Sequence, residues 1–129
     1  MTYEETLHYL YTSIPVFQHS GASAYKPGIG TSIALDDYLG NPHKAYKTIH
    51  VAGTNGKGSV SHLLAAILRQ SGFKVGLYTS PHLVDFRERI RVNGKKISQD
   101  YVVDFVERHR SFFEPLHPSF FELTSSMAF

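Results

Sequence analysis

The stretch Ile49-His50-Val51-Ala52-Gly53-Thr54-Asn55-Gly56-Lys57-Gly58-Ser59 decides the fold. A short apolar segment runs into a glycine-rich turn that carries one lysine, and an amphipathic helix follows. Glycines let main-chain N–H groups approach phosphate oxygens, and the helix N-terminus adds a favourable dipole. The stretch therefore predicts a strand, a phosphate-binding loop and a helix, with Lys57 as a cation on the outer phosphates of a nucleotide.

The match to the standard phosphate loop, G-x-x-x-x-G-K-[ST], is imperfect. The pattern needs Gly at position 51 and Ser or Thr at position 58, where this chain has Val51 and Gly58, and a hydroxyl follows one residue later at Ser59. The alternative interpretation is a plain turn with a solvated Lys57. The order of apolar segment, loop and helix favours phosphate binding.

The flanking segments predict a βαβ unit. Thr48–Ala52 is the first predicted strand, Lys74–Tyr78 is the second, and a right-handed crossover would make them parallel. The helix between them begins near Gly58, ends at Gly72 and has an apolar face, which consists of Val60, Leu63, Leu64, Ile67 and Leu68. We expect an α/β fold, a P-loop-containing three-layer α/β/α architecture with a parallel sheet, incomplete in this chain. Thr79-Ser80-Pro81 would then lie beside the phosphate loop.

Local signals predict the remaining elements. Thr2-x-x-Glu5 is a capping box for a first helix that Pro15 ends, and His19–Thr31 is a predicted loop that orders on a ligand. Further predictions are a helix over Ser32–Leu39, a hairpin with a type I′ turn at Asn93-Gly94, a helix capped by Ser98, and a final helix with an apolar face of Phe120, Leu123, Thr124 and Met127.

Composition sets the class of protein. The 129 residues suffice for one core, the hydrophobic share is 42% and the charged share is 19%. Zero cysteines exclude disulfides, thiolate catalysis and cysteine zinc sites, and a net charge of +2 gives little support for a polyanionic partner. We expect a cytoplasmic protein that binds neither nucleic acid nor membrane. Because the predicted last helix stops on Phe129 without a closing residue, we also expect a piece of a longer protein.

Five stretches together resemble one family. Leu39–His43, Ile49–Ser59, Gly76–Leu83, Phe86–Ile90 and Val92–Gly94 are similar to the corresponding segments of the folylpolyglutamate synthase / dihydrofolate synthase family, which belongs to the Mur ligase superfamily. The resemblance spans nearly all of residues 39 to 98. It implies a Mur ligase central-domain-like fold, with residues 1–129 as the N-terminal portion of the ATP-binding ligase domain and the C-terminal glutamate-binding domain absent.

The resemblance implies an ATP-dependent amide ligase. Such an enzyme adds L-glutamate to dihydropteroate, or to the γ-carboxylate of a folate, through an acyl phosphate. Its cofactors would be ATP and Mg²⁺, with a monovalent cation left open, and the full-length enzyme would be a monomer. The family's other metal ligands, a glutamate and a histidine, would lie beyond Phe129, so we expect the fragment alone to be inactive.

The resemblance also assigns roles to residues. Lys57 would be catalytic and Ser80 would give its hydroxyl to magnesium. The residues that would bind ATP are Thr54, Asn55, Gly56, Lys57, Gly58 and Ser59.

The family's pteroate-binding motif, Thr-x-Phe-Glu, is spelled Ser119-Phe120-Phe121-Glu122 in this chain. Serine keeps the hydroxyl of the motif and loses the methyl group. Phe121 would pack on the pterin or fill the core, and both interpretations stay open. His82, in the loop of Ser80, would either face substrate or belong to the loop alone.

Several alternatives stay open at this stage. None of the eight histidines has a partner at ligand spacing, and His50 is expected to be buried and hydrogen-bonded. Arg87, Glu88, Arg89 and Arg91 would anchor their loop through ion pairs or form a solvated hairpin edge. Two other functions also fit: a Mur-type ligase acting on another substrate, and a nucleotide-binding module without ligase chemistry.

Overall fold

The computed structural model describes residues 1–14 and 28–129. The chain divides into two units: residues 1–46 with 99–127 and 129, and residues 47–98 with 128. Pro15 and most of the predicted loop His19–Thr31 lie outside the described residues. Within the described ranges, no helix is both long and apolar enough to cross a bilayer.

The described residues form five α-helices, three short strands and three 3₁₀ turns. The helices are α1 (Tyr3–Ser13), α2 (Gly30–Tyr38), α3 (Lys57–Gln70), α4 (Gln99–Phe113) and α5 (Phe120–Ala128). The strands are β1 (Gly76–Tyr78), β2 (Ile90–Val92) and β3 (Lys95–Lys96). The 3₁₀ turns are Pro42–Ala45, Phe86–Arg89 and Glu114–Leu116.

Side-chain capping fixes the starts of α1 and α5 in the first unit. At the start of α1, the Thr2 hydroxyl accepts the Glu5 N–H at 3.1 Å and the Thr2 N–H donates to the Glu5 carboxylate at 2.7 Å. The predicted capping box is therefore confirmed. It satisfies donors that the first turn of any helix leaves without an intrahelical partner.

The apolar faces of these helices form the core of the first unit. Its most buried side chains come from α1, α2, α4 and α5: Leu10, Leu35, Val102, Val106, Phe113, Leu123 and Met127. The predicted face of α5 is confirmed, because Phe120, Leu123, Thr124 and Met127 are all at most 3% exposed. The buried Thr124 hydroxyl donates to the Phe120 carbonyl at 2.8 Å, so no cost of an unpaired polar group arises there.

The second unit contains α3 and an antiparallel sheet in the order β1-β2-β3. The turn between β2 and β3 has Asn93 at φ 51° and Gly94 at φ 78°. A type I′ turn requires positive φ at both central residues, so the predicted hairpin is confirmed. A Cβ at Gly94 would lie 2.5 Å from the Arg69 guanidinium, so a side chain there would require that flexible group to move.

The described residues do not form the predicted parallel unit. Thr48–Ala52 form no strand, and β1 pairs with β2 in antiparallel fashion. A buried parallel strand needs neighbours on both sides and helices on both faces, and the described residues provide none for this segment. His50 is accordingly exposed, not buried as predicted. The fold is α/β, with a small antiparallel sheet.

The strand β1 begins at Gly76, whereas the sequence predicted that it would begin at Lys74. Val75 donates its N–H to the Asn93 side chain at 2.9 Å and accepts the Asn93 N–H at 2.8 Å. The N–H and C=O groups of Val75 therefore both bond to Asn93 in the hairpin turn. The pairing of β1 with β2 begins one residue later, at Gly76.

The apolar face of α3 is exposed in this unit. Val60, Leu63 and Ile67 are 47%, 64% and 61% exposed, although they lie at the predicted helical spacing. The sequence pattern located the helix correctly, and the other two residues of the predicted face, Leu64 and Leu68, are partly buried.

Ion pairs of Asp85 anchor the turn before β2, and the interpretation that predicted anchoring through ion pairs is confirmed for Arg87. Asp85 accepts the Arg87 guanidinium at 2.9 Å and the Lys96 ammonium at 3.1 Å. Burial alone would raise the pKa of Asp85, but the hydrogen bonds from Arg87 and Lys96 hold it well below its usual range. Asp85 therefore joins the 3₁₀ turn Phe86–Arg89 to β3.

Two adjacent phenylalanines on α5 provide a test of the core assignment. Phe120 is 3% exposed and Phe121 is 58% exposed. We expect Phe120→Ala to lower the free energy of unfolding by about 3 kcal/mol or more, because it leaves a cavity. The matched control Phe121→Ala should change it by less than about 1 kcal/mol. Urea denaturation measures both, and equal losses would contradict the assignment.

The depressed pKa of Asp85 predicts a pH dependence of stability. Its ionised form is stabilised in the fold, so this contribution is complete above the carboxyl's ordinary pKa and is lost as pH falls through the lowered one. Asp85→Asn should cost about 1 to 3 kcal/mol at neutral pH. It should also flatten the fall in unfolding free energy below about pH 5. The control Asp104→Asn, which removes an exposed pair with Arg108, should change little; identical pH profiles for wild type and Asp85→Asn would refute the role of Asp85.

Candidate functional site

The glycine-rich turn enters α3 through a left-handed residue. Gly56 is the N-cap of this helix at φ 75° and ψ 1°, a conformation that glycine adopts without strain. No side chain caps the helix start. The first turn of α3 therefore presents main-chain N–H groups without a capping oxygen of the protein, which is the arrangement that an anion completes.

Lys57 lies over the same turn. Its ammonium donates to the Gly53 carbonyl at 2.6 Å, and the side chain is exposed. Thr54 and Asn55, between these two residues, are exposed as well. The loop thus holds one cation beside its own backbone, where phosphate oxygens can reach both the ammonium and the N–H groups of α3.

Ser80 lies just beyond the end of β1. It is exposed, and its neighbour Thr79 donates its N–H to the Arg89 carbonyl at 2.9 Å. The second unit therefore contains the predicted ATP-binding residues of the loop, and it also contains Ser80 and His82. No group of three His, Cys, Asp or Glu side chains in the described ranges could hold a metal ion. A serine hydroxyl is a suitable ligand for Mg²⁺ but is insufficient alone.

His82 is half-buried and its ring is held on two sides. Its Nδ1 accepts the Arg89 Nε–H at 2.8 Å, and its ring packs edge-on against Phe86 at 6.1 Å between centroids. Burial lowers the pKa of His82, and the positive charge of Arg89 lowers it further. Arg89 and Phe86 therefore hold the ring of His82 in place.

The Glu88 carboxylate fixes the loop that follows His82. It accepts the N–H groups of Leu83, Val84 and Asp85 at 3.0, 3.1 and 2.7 Å. These bonds, with that of Asp85 first, lower the pKa of Glu88, because they favour the ionised form. The side chains of Leu83 and Val84 remain 91% and 89% exposed on this fixed backbone.

The predicted pteroate-binding residues belong to the first unit. Ser119 and Glu122 form the capping box of α5: the Ser119 hydroxyl accepts the Glu122 N–H at 3.1 Å, and the Ser119 N–H donates to the carboxylate at 2.8 Å. Phe120 is buried and stacks on Tyr11 at 5.6 Å. The exposure of Phe121 excludes the core interpretation, and leaves that ring accessible to a ligand.

Sequence reasoning missed Arg89. This residue is 3% exposed, although arginine is seldom fully buried, and neither predicted alternative for the four charged residues anticipated its contact with His82. The available signal was position: Glu88 and Arg89 lie directly before a predicted strand that must pack. Asp85 and its pair with Lys96 were missed for the same reason, since the hairpin brings them together.

The chain is similar to enzymes of one kind. It is 39% identical to a probable bifunctional folylpolyglutamate synthase/dihydropteroate synthase from Haloferax volcanii, over 99% of this chain and 15% of the relative. It is 39% identical to a dihydrofolate synthase/folylpolyglutamate synthase from Bacillus subtilis, over 81% of this chain and 26% of the relative. No family model matches the chain.

Solved structures agree with these relatives. A folylpolyglutamate synthase from Thermotoga maritima matches with a TM-score of 0.84 and 44% identity, over 98% of this chain and 29% of that protein. An FPGS in complex with AMPPCP and folate matches with a TM-score of 0.80 and 32% identity, over 99% of this chain and 31% of that protein. The chain thus spans less than a third of the length of these relatives. It belongs to the folylpolyglutamate synthase / dihydrofolate synthase family.

Proposed function

We propose that this chain supplies the phosphate-binding part of an ATP-dependent ligase. The whole protein would add L-glutamate to dihydropteroate, or to the γ-carboxylate of a folate. The observation that carries the proposal is the loop from Gly53 to Lys57, in which a left-handed glycine, an uncapped helix start and one ammonium lie together.

The relatives support the identity of the ligands. Structures of FPGS exist as complexes with AMPPCP and with AMPPCP and folate, and the chain is 32% identical to both. An ATP analogue and a folate therefore bind to proteins that share this part of the fold. For this chain, the nucleotide would bind at the loop before α3, and Phe121 would contribute an aromatic face to the pterin.

The proposed reaction has two steps. A carboxylate oxygen of the pterin substrate attacks the γ-phosphorus of ATP, and the bond from that phosphorus to ADP breaks. The amine nitrogen of glutamate then attacks the acyl carbon, phosphate leaves, and the nitrogen loses a proton. Lys57 and the N–H groups at the start of α3 would hold the phosphate oxygens and offset their charge, which lowers the barrier through positioning and electrostatics.

Magnesium belongs to the whole protein in this proposal. Ser80 would contribute one hydroxyl, and carboxylate or imidazole ligands would come from residues after Phe129. Mg²⁺ neutralises phosphate charge when it is bound. Because the described residues lack those ligands, the 129-residue chain is expected to bind nucleotide without ligating glutamate.

The exposed face of α3 fits the same proposal. Its apolar side chains and the segment Thr48–Ala52 would join a parallel sheet that the whole protein completes, in the three-layer arrangement expected from the sequence. Residues 1–129 would then be the N-terminal portion of the ATP-binding domain, and a further domain would bind glutamate.

Removal of the loop cation tests nucleotide binding. Lys57→Ala should weaken the affinity of the 129-residue chain for an ATP analogue about tenfold to a hundredfold, because a charge-assisted hydrogen bond to phosphate is lost. Lys74→Ala is the matched control, since Lys74 is also exposed in the second unit and lies outside the loop. Calorimetric titration of AMPPCP with magnesium measures both. Equal affinities for Lys57→Ala and wild type would rule out the proposed role.

The reaction itself is tested on the whole protein. With ATP, magnesium, L-glutamate and either dihydropteroate or tetrahydrofolate, we expect glutamate-dependent release of phosphate and a product extended by one glutamate. Mass spectrometry identifies that product. ATP hydrolysis that is independent of glutamate with both pterins would instead favour a nucleotide-binding module, and glutamylation of neither pterin would refute the proposal.

A further inference from the structure

The hairpin of the second unit places two positively charged residues directly opposite each other. Arg91 on β2 pairs with Lys96 on β3. The Ile97 N–H donates to the Ile90 carbonyl at 3.1 Å, so the next pair, Arg91 with Lys96, is a non-hydrogen-bonded pair, in which side chains lie closest. Like charges at such positions repel each other and destabilise a sheet. An anion between them would offset that repulsion.

Asp85 neutralises only one side of this pair. Its carboxylate accepts the Lys96 ammonium at 3.1 Å and the Arg87 guanidinium at 2.9 Å. The Arg91 Nε is buried without a hydrogen-bond partner, and no ion pair in the described part of the chain includes Arg91. A buried donor of a charged group is costly to leave unpaired, so this position favours an incoming anion.

The second unit has no other carboxylate to offer Arg91. Residues 47–98 contain nine lysines and arginines but only two acidic residues, Asp85 and Glu88. Glu88 accepts the N–H groups of three successive residues. Both carboxylates of the unit are therefore occupied, and the excess of positive charge attracts anionic ligands.

We propose that Arg91 and Lys96 form an anion site that binds a carboxylate of the glutamate chain on the pterin substrate. The inference rests on the proposed function, because each ligation consumes one carboxylate and adds a glutamate that brings two. Leu77, the partner of Arg91 on β1, is three residues from Ser80, so their Cα atoms lie within about 11 Å. A chain of several linked glutamates can span that distance.

The two side chains suit a carboxylate in different ways. A guanidinium offers N–H donors in a planar fork that matches the two oxygens of a carboxylate. Lys96 adds a point charge, and its side chain is 37% exposed, so a ligand can approach it from solvent. The site would thus bind one carboxylate at a time and favour substrates that carry several.

The site is measured first on the 129-residue chain, without nucleotide or pterin. We expect γ-linked triglutamate to shift the Arg91 Nε–H resonance in a ¹H–¹⁵N spectrum, and to shift it more than free glutamate does. A resonance that triglutamate leaves unchanged would overturn the proposal, whether or not any variant folds. A larger shift with inorganic triphosphate than with triglutamate would assign the site to phosphate and overturn the carboxylate assignment.

Variants of the hairpin test the same binding. Arg91→Met should raise the dissociation constant of triglutamate about tenfold or more, because a charge-assisted hydrogen bond is lost. Arg91→Lys keeps the charge and should lose less. Lys95→Met is the matched control, since Lys95 is exposed and pairs with Val92, which places its side chain on the opposite face of the hairpin. Equal dissociation constants for Arg91→Met and Lys95→Met would contradict the site.

The use of the site in ligation is measured on the whole protein. The substrates are tetrahydrofolate and its form with two further γ-linked glutamates. For Arg91→Met, KM for the extended form should rise about tenfold relative to KM for tetrahydrofolate. Lys95→Met should leave the ratio of the two KM values unchanged. A mere loss of stability in Arg91→Met would lower activity with both substrates in proportion, and an unchanged KM ratio would refute the site.

These outcomes separate the two proposals. If the whole protein ligates glutamate and the KM ratio does not respond to Arg91→Met, the anion site is wrong while the proposed function stands. If the whole protein ligates glutamate to neither pterin but triglutamate shifts the Arg91 resonance, the proposed function fails and the carboxylate site remains correct.

Discussion

Satisfaction of backbone hydrogen bonds is the constraint on which the described structure depends. Backbone N–H and C=O groups that are buried at helix starts, turns and strand edges must find partners, since a buried unpaired group costs free energy comparable to a lost hydrogen bond. In the second unit one carboxylate, Glu88, accepts three successive N–H groups, and one side chain, Asn93, replaces a strand partner for Val75. Irregular segments are thereby as well determined as the helices.

The same constraint explains why some elements could be predicted and another could not. The capping box at Thr2 and the turn at Asn93-Gly94 are satisfied within three or four residues, so the sequence alone identifies them. The predicted strand Thr48–Ala52 needs partners from elsewhere. Its apolar side chains would be buried against other strands and helices, and the described residues do not provide those partners.

The helix α3 illustrates the difference between forming an element and burying it. Its amphipathic spacing located it within a few residues, because helical periodicity is a local property. Its apolar face nevertheless stays exposed, since burial depends on a second layer that is remote in sequence. The loop before α3 does not depend on such a remote layer, because the turn and the helix start determine the geometry of Gly56 and Lys57. The geometry of this loop was therefore more predictable than the sheet around which it was expected.

Side chains with two possible roles were the hardest to assign from sequence. Ser119 and Glu122 resemble a ligand-binding motif, yet their hydroxyl and carboxylate both satisfy the start of α5. A cap uses the hydroxyl oxygen and not the methyl group, so the exchange of Thr for Ser leaves this capping unaffected. The box also fixes the first turn of α5, in which Phe120 points into the core and Phe121 does not. The motif can thus orient the Phe121 ring toward a ligand without contact from either polar side chain. The exchange of Thr for Ser at position 119 is therefore compatible with the role proposed for Phe121.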